Sequence, residues 1–255
     1  MRRARSLALA LLLLVCSVAR GEWSVVSSDQ QGTARAGVVH VKTVVTSDEG
    51  ARATLHFAAF SPKTATLRVI DDPEAQSALT DVMQRENAVA GVNGGYFAPD
   101  YAAVGLLISD GRVVAPLRKA RLLSGVVSAG NGRVQVQRAA EFSMKAKPTA
   151  ARQCGPFLVE RGAAVAGLND TKAARRTFVG TGGADRAAIG YSSHVTLAQL
   201  GAILATPGVL PDLKMQRALN LDGGSSSGFW FAGDASPFSI REQKNVRDFI
   251  AVVPR

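Results

Sequence analysis

The chain is poor in the residues that staple or metallate small proteins. Two cysteines in 255 residues, Cys16 and Cys154, exclude a disulfide scaffold and a multi-cysteine zinc module. Three scattered histidines, His40, His56 and His194, exclude a histidine-rich metal centre. No apolar run approaches the roughly 18 residues of a membrane-spanning helix. Low-complexity linkers and internal repeats are absent. So are basic-aromatic runs and helix-turn-helix spacing, which leaves nucleic acid without a recognisable reader. With 47% hydrophobic and 20% charged residues, the composition is that of a globular chain able to bury a core.

What is present begins with an export pattern. Arg2, Arg3 and Arg5 precede the apolar stretch Leu7 to Val15, and Ser17-Val18-Ala19 supplies small residues before a cleavage point after Ala19, with Gly21 as the neighbouring alternative. Residues 1–19 are therefore read as a signal peptide and the protein as periplasmic or secreted. Cleavage would leave 27 basic against 20 acidic residues, a charge of +7, with Cys154 alone and no membrane span. A basic exported protein suits anionic envelope glycans or phosphorylated sugars. No feature of the sequence sets an oligomeric state.

Residues 20–84 read as strand-rich: Val-dense Ala36 to Val45, then Arg52 to Phe60 and Ala65 to Ile70. His56, opposite Leu55 and Phe57 in the alternation, is expected at a strand rim. Asp72 and Pro73 are expected to start a helix running to about Glu86. Residues 85–255 alternate short strands with turns. Asp110-Gly111 and Asn131-Gly132 mark two hairpins, residues 161–184 look loop-rich, and Thr196 with Gln199 forms a capping box before the apolar stripe Leu197, Leu200, Ile203 and Leu204. The fold class expected is α+β, with mixed, mostly antiparallel sheets and two or three packed helices.

Two segments share a plan. An apolar strand runs into Asn93-Gly94-Gly95-Tyr96-Phe97, and another into Asp222-Gly223-Gly224-Ser225-Ser226. A polar side chain at a strand end is firmly held, and the following glycines let backbone approach a ligand closely. Neither loop carries the Lys-Ser/Thr ending of a P-loop or a dinucleotide fingerprint, and no Gly-x-Ser-x-Gly elbow is present. Ordinary solvated turns are the competing reading.

These two segments, with Gly155-Pro156-Phe157-Leu158-Val159 and Arg186-Ala187-Ala188-Ile189-Gly190 between them, come in the order seen in the phosphodiester glycosidase family, which the chain resembles over roughly residues 85–255. The chain has Ser225 where the family often has a third glycine. The resemblance implies hydrolysis of a sugar-1-phosphodiester at the anomeric C–O bond. A phosphate leaving group departs as a stable anion, so one carboxylate with good charge stabilisation would suffice in place of the usual two.

Asp222 is the expected base or nucleophile, Asn93 the holder of a sugar hydroxyl or acetamido group, and Arg186 the phosphate clamp. Gly94, Gly95, Gly223, Gly224, Ser225 and Ser226 would line the substrate, with Tyr96 and Phe97 against a sugar face. Lys244 and Arg247 are further cation candidates and Glu160 a second carboxylate. No cofactor is required by this chemistry, although Asp222, Glu160 and Asp248 are carboxylates that could gather round a divalent cation. Cys154 reads as a small buried residue. Two other classes fit the same composition: a non-catalytic module binding anionic glycans, and a phosphodiesterase cutting P–O.

Overall fold

The computed structural model describes residues 22–183, 185–234 and 236–255, so the signal-peptide reading of residues 1–19 lies outside the described residues. Every strand pairing is antiparallel, and the strands form three sheets. The largest runs in the spatial order Trp23–Ala34, Val38–Ser47, Arg52–Phe60, Ala187–Val195, Ala174–Thr181, Arg217–Asn220, Phe157–Glu160 and Ala163–Ala164. A second holds Ala150–Cys154 at its centre, flanked by the two hairpins. A third orders Phe238–Ile240, Phe229–Phe231, Ala90–Asn93, Asp248–Pro254 and Ala65–Asp71. One apolar core joins all three, through Ala58 and Phe60, Val127 and Val134, and Val92, Phe229 and Ile250.

The chain is thus predominantly β, 47% strand and 11% helix, with two α-helices among the described residues. The capping box forms as expected: Gln199 N–H donates to Thr196 Oγ1 at 3.1 Å and Thr196 N–H to Gln199 Oε1 at 2.9 Å, starting the helix Leu197–Ala205. Both hairpins turn on consecutive left-handed residues, Asp110 with Gly111 and Asn131 with Gly132, which fits the right-handed strand twist.

Three expectations are corrected. The first helix spans only Leu79–Arg85, because Asp72 closes a local turn: its carbonyl accepts from Ala75 N–H and its carboxylate from Ser77 N–H. The stretch 161–184 contains a central strand, Ala174–Thr181, bonded on both sides. His56 is buried, 2.9 Å from His40 across paired strands and within a cage of Phe229, Phe238 and Tyr191, because the third sheet covers that face.

Candidate active site

The two glycine turns meet. Asp222 N–H donates to Gly94 O at 3.1 Å, and Asn93 Nδ2 donates to Asp222 O at 2.7 Å. Thr177 lies between them, its hydroxyl 2.9 Å from both Asn93 Oδ1 and Asp222 O, and Gly228 N–H also reaches Asn93 Oδ1. Sheets one and three are thereby joined at their strand ends. Asn93 is 1% exposed and its amide is engaged by protein groups, so it brackets the two turns where the sequence suggested a residue open to a sugar.

Beneath this bracket lies a buried ion pair. Arg152 Nε and Nη2 donate to Asp248 Oδ1 and Oδ2, both at 2.9 Å, with neither side chain exposed. Asp248 also accepts Gly95 N–H on its side chain and Gly94 N–H on its carbonyl. The glycines are explained by this proximity. A Cβ on Gly94 would sit 1.7 Å from Asp248 Oδ1, and one on Gly95 2.5 Å from Arg152 Cζ. Gly224 differs: its φ of +66° needs glycine for the turn itself, with open space around it.

Asp222 is half-buried at the rim. Burial pushes its carboxyl above the usual carboxylate range; the Ser226 hydroxyl, the Lys244 ammonium and the Gly223 N–H, 3.0 Å from Oδ1, oppose that rise, and Asp248 adds to it. Lys244 stands over Phe97, 4.7 Å from the ring centroid, on the segment that Gln243 N–H ties to Ser225 O. Beyond it a groove of about 410 Å³ opens between residues 76–81 and 241–245. Tyr96 turns inward rather than toward a sugar: its hydroxyl donates to Gly155 O and burial pushes its pKa up. Cys154 is fully buried, as expected, and burial pushes its thiol up to about 12.

The cations at the site are ones the sequence reading passed over. Arg175 and Arg176 are 8% and 9% exposed, and neither forms an ion pair with a carboxylate among the described residues. Arg176 donates from Nε to Val195 O and from Nη2 to Lys172 O, while Nη1 faces the Gly223 turn, 3.3 Å from where a Cβ on that glycine would be. Arg175 donates to Ser227 O and Arg241 O and leaves Nε buried without a partner. The hydroxyls of Ser192 and Ser227 and the Oδ1 of Asn220 are likewise buried and unpartnered, while the Ser226 hydroxyl faces the Asp222 carboxylate. Both arginines sit in the strand read as loop; the run Thr177-Phe178-Val179 directly after them is the strand signal that would have found them.

Three predicted residues stay away. Arg186 is exposed at the opposite end of the large sheet, next to the Ala187–Thr181 pair. Four strand positions separate Thr181 from Thr177, roughly 13 Å. Glu160 pairs with Arg138 there, at 2.5 and 3.0 Å, opposite Arg217. Arg247 is held by Asp71 at 2.7 Å. The cation trio fails with them: Glu160 is remote and Asp248 is locked to Arg152, and among the described residues no three His, Cys, Asp or Glu side chains gather. A groove of about 570 Å³ lined by Arg133, Gln135, Gln137, Gln216 and Arg217 lies at that remote end, away from Asp222.

An all-antiparallel three-sheet fold whose two glycine turns meet at a carboxylate defines a class, and the comparisons give that class its name. The profile of the phosphodiester glycosidase family, NAGPA, matches residues 86–253, and the chain belongs to that family. Among solved structures, the zebrafish N-acetylglucosamine-1-phosphodiester alpha-N-acetylglucosaminidase catalytic domain, auto-inhibited by its pro-peptide, superposes with a TM-score of 0.61 at 13% identity, covering 93% of this chain and 85% of that one. A hypothetical protein from Synechocystis gives 0.58 at 12% identity, covering 90% of this chain and 64% of its own length. A Burkholderia pseudomallei protein whose export is itself a prediction gives 0.57 at 14% identity, covering 84% and 74%. At these identities the likeness is one of fold. No curated protein sequence matches the chain.

Proposed function

We propose that this protein is an exported hydrolase that cleaves the anomeric C–O bond of a sugar-1-phosphodiester. The observation that carries the reading is the concentration of unsatisfied polarity around one turn. Two buried guanidiniums without carboxylate partners and three buried, unpartnered side-chain oxygens, those of Ser192, Ser227 and Asn220, lie around the turn beside Asp222. Buried cations without a counter-charge and buried hydroxyls without a hydrogen bond cost folding free energy, so a site that keeps them suits an anionic, hydroxylated ligand. Arg176, facing the Gly223 backbone, replaces Arg186 as the phosphate ligand, with Arg175 behind it. The serines and Lys244 meet the remaining oxygens.

Asp222 acts on the anomeric carbon, either taking the proton of an attacking water or adding to the carbon itself. In the water route the new C–O bond forms as the old one breaks, its electron pair leaves with the phosphomonoester, and the water proton passes to Asp222. The leaving group is already an anion stabilised by Arg176, so neither a second carboxylate nor a metal is needed. The substrate fits an envelope or exopolysaccharide glycan, in keeping with the export pattern at residues 1–19.

Purified Asp222→Asn protein should lose about 100-fold or more of its activity on sugar-1-phosphodiesters while remaining folded, melting no lower than the parent. Full activity in that variant rejects the assignment. In ¹⁸O-labelled water the label should appear on the sugar; label on the phosphate would mean P–O cleavage instead.

A further inference from the structure

The Arg152–Asp248 pair is buried where the proposed chemistry does not touch it, yet the Asp248 side of the pair bonds the backbone that holds the Asp222 turn. Arg152 donates to six acceptor atoms: both Asp248 carboxylate oxygens and the carbonyls of Tyr96, Val104, Leu106 and Gln153. Asp248 takes the Gly94 and Gly95 amides. Gly94 then offers its carbonyl to the Asp222 amide, and Asn93 grips the Asp222 carbonyl. The absence of side chains at 94 and 95 is what lets the ion pair press against this backbone.

We infer that Arg152 and Asp248 are positioning residues for Asp222: they fix residues 94–96 so that the Asp222 backbone is held from below and its carboxylate stays at the rim facing Ser226 and Lys244. The inference rests on the reading of Asp222 as the working carboxyl. Charge supports the geometry. Asp248 raises the proton affinity of Asp222, while Ser226, Lys244 and the Gly223 N–H lower it. Arg152, Tyr96 and Cys154 also feel the Asp222 charge from the second-sheet side. A buried pair replaced together keeps its fold better than a pair broken on one side, which decides the choice of variants.

The test uses the full chain and does not depend on turnover. In Arg152→Met/Asp248→Asn, which removes both charges and leaves an oxygen for Gly95 N–H, the Asp222 amide should exchange with solvent at least tenfold faster. Amides of Val41 and Leu55 in the large sheet should be unchanged. In Asp248→Asn alone, the ¹³C carboxyl resonance of Asp222 should titrate at lower pH than in the parent, since the Asp248 charge that raises it is gone and Arg152 is left without its counter-ion. If Asp248→Asn does not fold, the double variant alone decides. A folded double variant with parental Asp222 exchange overturns the inference, and a double variant that cannot fold would show the pair to be a purely structural requirement and overturn it equally. Loss of the glycosidase reading would show instead as a parent protein without turnover and an intact exchange response.

Discussion

Arginines stand at both ends of the large sheet and are paired in opposite ways. At the remote end, Arg138 meets Glu160 and Arg217 meets Glu141, partly exposed pairs that answer each other's charge. At the other end, Arg175 and Arg176 are buried and unanswered beside Asp222. Both ends also have grooves, and the roomier of the two described is the remote one. The difference teaches that concavity and basic residues do not locate a site by themselves. Charge left without a counter-ion under burial is the better pointer, because a bound anion would offset its cost.

The sharpest way to break this contrast is to exchange the ends in experiment. Asp222→Asn should cost about 100-fold or more in kcat/KM, whereas Glu160→Gln at the remote end should leave kcat/KM within about twofold, as expected of a surface ion pair. Next comes Arg176→Ala, expected to raise KM about tenfold or more through a lost charge-assisted contact, against no change for Arg186→Ala. Equal losses from both arginines would erase the distinction.

A third measurement concerns pH. His40 and His56 are held neutral by burial, each pKa lowered to about 4. The unfolded chain takes up these protons below about pH 6.5 while the folded chain resists until about pH 4, so stability should fall across that window, by on the order of several kcal/mol. A His40→Leu/His56→Leu variant should flatten the profile, as read by denaturant titration.

Asp222 gives a smaller effect of defined sign. Its raised pKa means the ionised carboxylate weighs against the fold above that pKa and not below the unfolded value. Asp222→Asn should therefore melt higher than the parent near neutral pH, with the gap closing as pH falls through the carboxylate range. The smallest expected change is that of Arg138→Ala, within about 1 kcal/mol of the parent stability.

Much of the fold was legible. Val-rich alternation located the strands Val38–Ser47 and Arg52–Phe60, the Asp-Gly and Asn-Gly pairs located both hairpins, and Thr196 with Gln199 located the second helix, because each is decided by residues a few positions apart. The site was legible in part. That residues 93–95 and 222–224 matter could be read from a polar residue and a glycine pair at strand ends, but Asn93 proved to be a bracket and Arg186 a surface residue. Arg152 was hidden in Ala150-Ala151-Arg152-Gln153-Cys154, where one charge in a short apolar strand gives no sign of a carboxylate 96 positions away.

By itself, the sequence determined the local elements, the basic balance and the two glycine turns, since backbone propensity and turn chemistry act over a few residues. The tertiary structure alone decided which charges are paired. Ion pairing and burial are set by strands far apart in the chain, and it is burial that separates the spent arginines at one end of the sheet from the waiting ones at the other.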